Sequence, residues 1–134
     1  MTVDQDKAVS WLTKAAIWCL PFTMALVGLV YMFGDDWRTA NAAYEVPKVV
    51  LPIQAWGVLF LAVALFEWFV HWRRSLYWMI MAKCIGAALC LVWALMLGGS
   101  LLLHLDEAPI VFPLLFFSMA FYHLGVVTYL VRSG

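Results

Sequence analysis

Apolar residues fall along this chain in four long runs, residues 11–33, 50–70, 77–103 and 110–131, with polar positions gathered between them. The runs do not alternate with the period of a strand, and each holds roughly the 20 residues that carry a helix across a bilayer. The interruptions differ in size. Residues 34–49 form the one sizeable loop, with Asp35, Asp36, Arg38, Glu45 and Lys48; the connections around Arg73-Arg74 and Asp106-Glu107 are tight turns. Turns that short make antiparallel neighbours of the helices they join. The pattern predicts an all-α, polytopic integral membrane four-helix bundle, one membrane domain over 1–134.

Local signals refine the elements. Residues 1–10 read as a short polar lead, and Trp11, Lys14 and Trp18 mark entry into the first span, as aromatic and basic residues do at an interface. Pro21 is placed to kink that span and Gly34 to stop it. Asp35 or Asp36 is suited to cap a short interfacial helix carrying Trp37 and Tyr44. Pro47 and Pro52 bracket the entry to the second span, where Gly57, Phe60, Ala64, Glu67 and His71 share a face by helical spacing. Ala40-Asn41-Ala42 has the look of a signal cleavage site, but the preceding apolar run is too long for a signal peptide and ends well before it, so the first span is expected to remain.

Composition turns a pattern of helices into a pattern of spans. The chain is 66% hydrophobic and 12% charged, whereas soluble domains have roughly 45–50% and 25%. A soluble fold of this size has no interior large enough for so much apolar surface, so the lipid bilayer is its solvent and first partner. Eight basic and eight acidic residues leave no net charge, and nothing favours a nucleic-acid partner. Cys19, Cys84 and Cys90 all lie in apolar runs without a C-x-x-C spacing, and no disulfide is expected. Lys7, Lys14, Arg73, Arg74 and Arg132 fall on one side of the predicted topology, Arg38 and Lys48 on the other. The positive-inside rule then predicts a multi-pass protein of the cytoplasmic (inner) membrane with both termini cytoplasmic.

The third run carries Ala82, Gly86, Cys90, Ala94 and Gly98, a small residue at every fourth position. On a helix this makes a shallow stripe against which another backbone can pack, which is how spans associate in lipid. The reading makes this helix the one the others pack around, and the stripe a surface for a second copy or a membrane-complex partner.

Three ionisable residues lie within the runs: Glu67, Lys83 and His123, on three different spans. Counted from boundaries near His71, Tyr77 and Val131, they sit about 6, 9 and 12 Å deep on the Arg73-Arg74 side. An isolated charge at a span centre costs roughly 2.5–3.5 kcal/mol. A Glu67–Lys83 pair joined by His123 would offset much of this. Snorkelling of Lys83 to the headgroups, a structural ion pair, and a proton or ion relay all remain open readings. No nucleophile–base pairing, phosphate-binding glycine loop or cysteine–histidine metal set is present in the sequence, and His71, His104 and His123 do not give paired haem ligands at one depth. No catalytic, cofactor-binding or metal-binding residues are expected, and no enzymatic activity.

Residues 47–57, reading PKVVLPIQAWG and opening an apolar span, resemble the second-span entry of small four-span membrane proteins of actinobacterial phages. One longer outer loop, two tight turns and almost no tails also resemble that layout. Some such proteins are considered holin-like. The resemblance implies a non-enzymatic, lysis-associated or host-membrane-modifying protein that self-associates. The charged C-terminal tail usual in holins is reduced here to Arg132. The alternatives are an accessory subunit of a larger membrane complex, or a small transporter or redox-associated protein using Glu67, Lys83 and His123. Small multidrug transporters share the span number but place their essential glutamate in the first span.

Overall fold

The computed structural model describes the backbone over residues 3–34, 42–104 and 110–133, and side chains from Ser10 onward. Helix α1 is Val3–Phe33. A 3-10 turn, Ala42–Tyr44, leads into the short α2, Glu45–Val50, followed by α3, Ile53–Arg73, α4, Leu76–Leu103, and α5, Val111–Ser133. Among the described residues there is no strand. The expected cap at Asp35 or Asp36 lies outside the described residues, as does Trp37. Tyr44 belongs to the 3-10 turn.

Four helices are long and apolar enough to cross a membrane: residues 10–33 of α1, and α3, α4 and α5. At 1.5 Å per residue, the 21 residues of α3 extend about 32 Å and the 28 of α4 about 42 Å, against a hydrocarbon core near 30 Å. Phe22, Leu65, Phe69, Leu95, Leu115 and Phe121 stay exposed along their flanks. Large apolar side chains outside as well as inside the bundle mark these helices as lipid-embedded. The chain is a four-span membrane protein.

The second span begins later and runs further than the sequence reading had it, as Ile53–Arg73, and α1 differs in two respects. The polar lead is already helical from Val3, so α1 begins well before the span does. Pro21 is fully buried inside an unbroken α1. Between α3 and α4 the chain reverses at Arg74, whose left-handed φ of 53° lets its N–H reach the His71 carbonyl at 3.2 Å. A non-glycine residue adopts that conformation at a cost of roughly 1–2 kcal/mol, offset here by closing the two-residue connection between α3 and α4.

Helix α1 packs mainly on α3, and α4 on α5; α3–α4 and α1–α5 contacts join the two pairs. The helices therefore run round the bundle in the order α1, α3, α4, α5, with α1 facing α4 and α3 facing α5 across the axis. Helix α1 touches α4 through Tyr31 against Trp93, but its backbone packs on α3, so α4 is not the common centre that the sequence reading made it. Helix α4 does meet α3, α5 and the short elements after residue 41, but α1 is held by α3. The reason is a glycine pair. A Cβ built on Gly28 would stand 2.8 Å from the Gly57 carbonyl oxygen, and one on Gly57 would stand 2.7 Å from that of Gly28. Both neighbours are backbone, so this crossing exists only because neither residue has a side chain.

The end of the bundle away from Arg73-Arg74 is filled by aromatic rings. Trp93 is fully buried on the axis, with ring centroids of Trp56, Tyr31, Phe60 and Phe116 at 4.9, 5.2, 5.7 and 6.2 Å. The turn and α2 close that end. The Val46 N–H donates to Ser100 Oγ at 3.0 Å, the Trp56 indole N–H to the Pro47 carbonyl at 3.1 Å, and Glu45 pairs with His104.

Candidate functional site: a buried polar cluster on the bundle axis

Glu67, Lys83 and His123 meet in the Arg73-Arg74 half of the bundle. Each is carried inward by its helix's packing face: Phe60, Ala64 and Glu67 on α3, Ala82, Lys83 and Gly86 on α4, Met119, Ala120 and His123 on α5. Their side chains are 1%, 5% and 0% exposed. Lys83 is thus turned into the bundle, and the snorkelling reading is corrected. It shares a face with the small residues that pack inward, and a carboxylate waits for it there.

The geometry fixes most of the hydrogens. The Lys83 ammonium donates to Glu67 Oε2. Nδ1 of His123 lies 2.9 Å from the Met119 carbonyl, which can only accept, so Nδ1 carries a hydrogen. Nε2 lies 3.0 Å from Glu67 Oε1. That second contact is a hydrogen bond only if a proton stands on the line between them. The proton belongs either to an imidazolium facing a carboxylate or to a carboxylic acid facing a neutral imidazole. With Lys83 charged, the cluster carries one net positive charge in both forms. Without that proton, the Nε2 lone pair would face a carboxylate oxygen, and the contact would be repulsive.

Gly86 makes the arrangement possible. A Cβ there would stand 2.5 Å from Glu67 Oε1 and 2.6 Å from His123 Nε2. The absent side chain opens the space through which α3 reaches α5 across the axis. Of the small-residue stripe, Ala82, Gly86, Cys90 and Ala94 are buried inside the bundle, where α4 meets its own chain's helices. Gly98 differs, being half-buried with nothing within 4 Å of a Cβ position. The stripe is therefore an intramolecular packing face, and its last member takes no part in it.

No family model, curated protein or solved structure matches this chain. The reading of the cluster rests on its own chemistry.

Among the described residues, no three His, Cys, Asp or Glu side chains converge as a metal site. Cys19, Cys84 and Cys90 are free thiols. His104 is at the opposite end, paired with Glu45. His71, one turn from Glu67, is half-buried, with the Trp18 ring edge-on at a centroid distance of 4.5 Å. The sequence reading used His71 as a boundary marker, placed it on the same face as Glu67 and weighed it as a haem ligand, but gave it no part in the cluster. Gly28 drew no notice there either, because one glycine in an apolar run has no signature until its partner is known.

Proposed function

We propose that this is a non-enzymatic four-span membrane protein that binds and releases a proton at the Glu67–Lys83–His123 cluster, in the manner of a small transporter or redox-associated membrane protein. The observation that carries the reading is the 3.0 Å contact between His123 Nε2 and Glu67 Oε1, with Nδ1 already committed to a carbonyl. Loading the proton makes this diagonal tie between α3 and α5; releasing it turns the tie into a repulsion. One proton therefore changes the packing of two spans, which is what a proton-coupled membrane protein requires. Under the positive-inside orientation the cluster lies in the cytoplasmic half.

The lysis-type reading draws on the resemblance at residues 47–57 and needs the same polar groups to line a lesion between copies. Their enclosure within one chain favours the proton-binding reading instead. The test is infrared difference spectroscopy of the protein in nanodiscs between acidic and alkaline buffer. A carboxyl band that responds to pH and disappears in Glu67→Gln is expected. A spectrum in which no Glu67 band responds would reduce the cluster to a structural ion pair.

A further inference from the structure

We infer that protons reach the cluster from the Arg73-Arg74 end alone, through His71 and a single bound water. The inference rests on the proton-binding reading and adds its route. Two spaces lie on that side, one against the cluster and one beyond it. A small cavity of about 10 Å³, room for roughly one water, is lined by Ile17, Glu67, His71, Met79, Ala82 and Lys83. A wider cleft of about 410 Å³ is lined by Trp18, Trp68, His71, Trp72 and Arg74. His71 is the residue common to both. Its Nδ1 is buried and has no hydrogen-bond partner, which a water in the small cavity would supply. That water would also meet Glu67 and Lys83.

On the opposite side of the cluster stand Ala64, Cys90, Phe60 and Trp93, all buried, and then the aromatic layer. The groups there that carry a hydrogen, the Cys90 thiol, the Trp93 indole and the Tyr31 hydroxyl, are themselves buried among the packed rings. The charged and titratable groups around the route are Glu67 and His71 of α3, Lys83 and Cys90 of α4, His123 of α5 and Arg74 at the cleft; α1 contributes Ile17 and Trp18. The transfer balances. A proton taken from the cleft by one ring nitrogen of His71 is matched by release of the Nδ1 proton to the water, which passes one of its own to the cluster. The reverse sequence returns it.

The experiment follows the Glu67 carboxyl band after a rapid pH jump in nanodiscs, in the full chain and in His71→Phe and His71→Ala. His71→Phe keeps a ring against Trp18, and tryptophan fluorescence reports that each variant is folded. The expected result is unchanged end-point spectra with exchange slowed by roughly 10²-fold, the contribution of a positioned proton carrier, and recovery of His71→Ala on adding imidazole. Exchange at the wild-type rate in both variants would overturn the route while leaving proton binding intact. A wild-type band that ignores pH would overturn the underlying reading, and the route with it. In oriented vesicles, acid on the Arg73-Arg74 side should drive the exchange; equal exchange driven from the other side would refute one-sided access.

Discussion

Replacing Gly86 with alanine adds one methyl group at the most crowded point of the bundle axis. The new Cβ would lie 2.5 Å from Glu67 Oε1, 2.6 Å from His123 Nε2 and 2.7 Å from His123 Cδ2. Reaching ordinary contact at 3.4 Å requires these groups to withdraw from α4 by nearly 1 Å. Neither is free to do so: Lys83, one turn away on the same helix, holds Glu67, and the Met119 carbonyl holds His123. Overpacking costs about 1–3 kcal/mol, and losing a hydrogen bond to a charged group about 1.5–3 kcal/mol more. Alanine recovers up to about 1 kcal/mol through helix propensity. The net expectation is a loss of about 3 kcal/mol, together with disappearance of the pH-responsive Glu67 band. Gly98→Ala is the control, since its Cβ would meet nothing within 4 Å, and should be neutral or slightly stabilising. Unfolding in mixed micelles with increasing SDS, followed by tryptophan fluorescence, measures both. Equal stability of the two variants would refute the claim that Gly86 makes room for the diagonal contact.

Gly28→Ala and Gly57→Ala should each destabilise at least as much as Gly86→Ala in the same assay, because the atoms they strike are backbone and whole helices must part. Glu67→Ala should cost about 3–5 kcal/mol by leaving the Lys83 ammonium buried without its partner, and Lys83→Ala less than that, because Glu67 keeps His123. The double variant should fall well short of the sum of the singles; additive losses in a double-mutant cycle would mean that the two are not coupled. His104→Ala should cost under about 1 kcal/mol, since Glu45 is exposed and His104 partly so, and should free α2 for faster hydrogen exchange. Induced expression in a bacterial host should leave the membrane potential intact; collapse with growth arrest would return the lysis-type reading to first place.

The spans were legible because lipid demands the same thing of every turn of a helix, and an apolar run of twenty residues leaves little choice. The cluster's members were legible for the converse reason. Glu67, Lys83 and His123 stand out within such runs, and their depths placed them in one half of the bilayer. Whether they meet depends on helix order round the bundle. That order is set by the Gly28–Gly57 crossing, which pairs α1 with α3 across sequence distance and shows no periodic signal. Gly86 was legible as a small residue on a packing stripe, but its purpose was not. A stripe predicts that something comes close, and here the visitors are a carboxylate and an imidazole from two other helices rather than a backbone. Residue spacing along one helix cannot distinguish those cases.

The two layers on the axis constrain how the protein can work. The diagonal between α3 and α5 is closed twice, by the Phe60 and Phe116 rings at 5.7 Å and by the Glu67–His123 hydrogen bond. The aromatic tie is indifferent to pH, and the polar one is not. On the proposed reading, loss of the cluster's proton loosens α3 from α5 only in the Arg73-Arg74 half, while Trp93 and its ring neighbours keep the other half packed. Such a motion is a hinge about the aromatic layer rather than an opening of the whole bundle. It admits water to the cluster from the side already joined to the cleft and leaves the far side sealed. A pore through the membrane would require the aromatic layer to part as well, and the cluster's proton exerts no force there. On the proposed reading, the same chain would respond to protons on one face of the membrane without conducting them to the other.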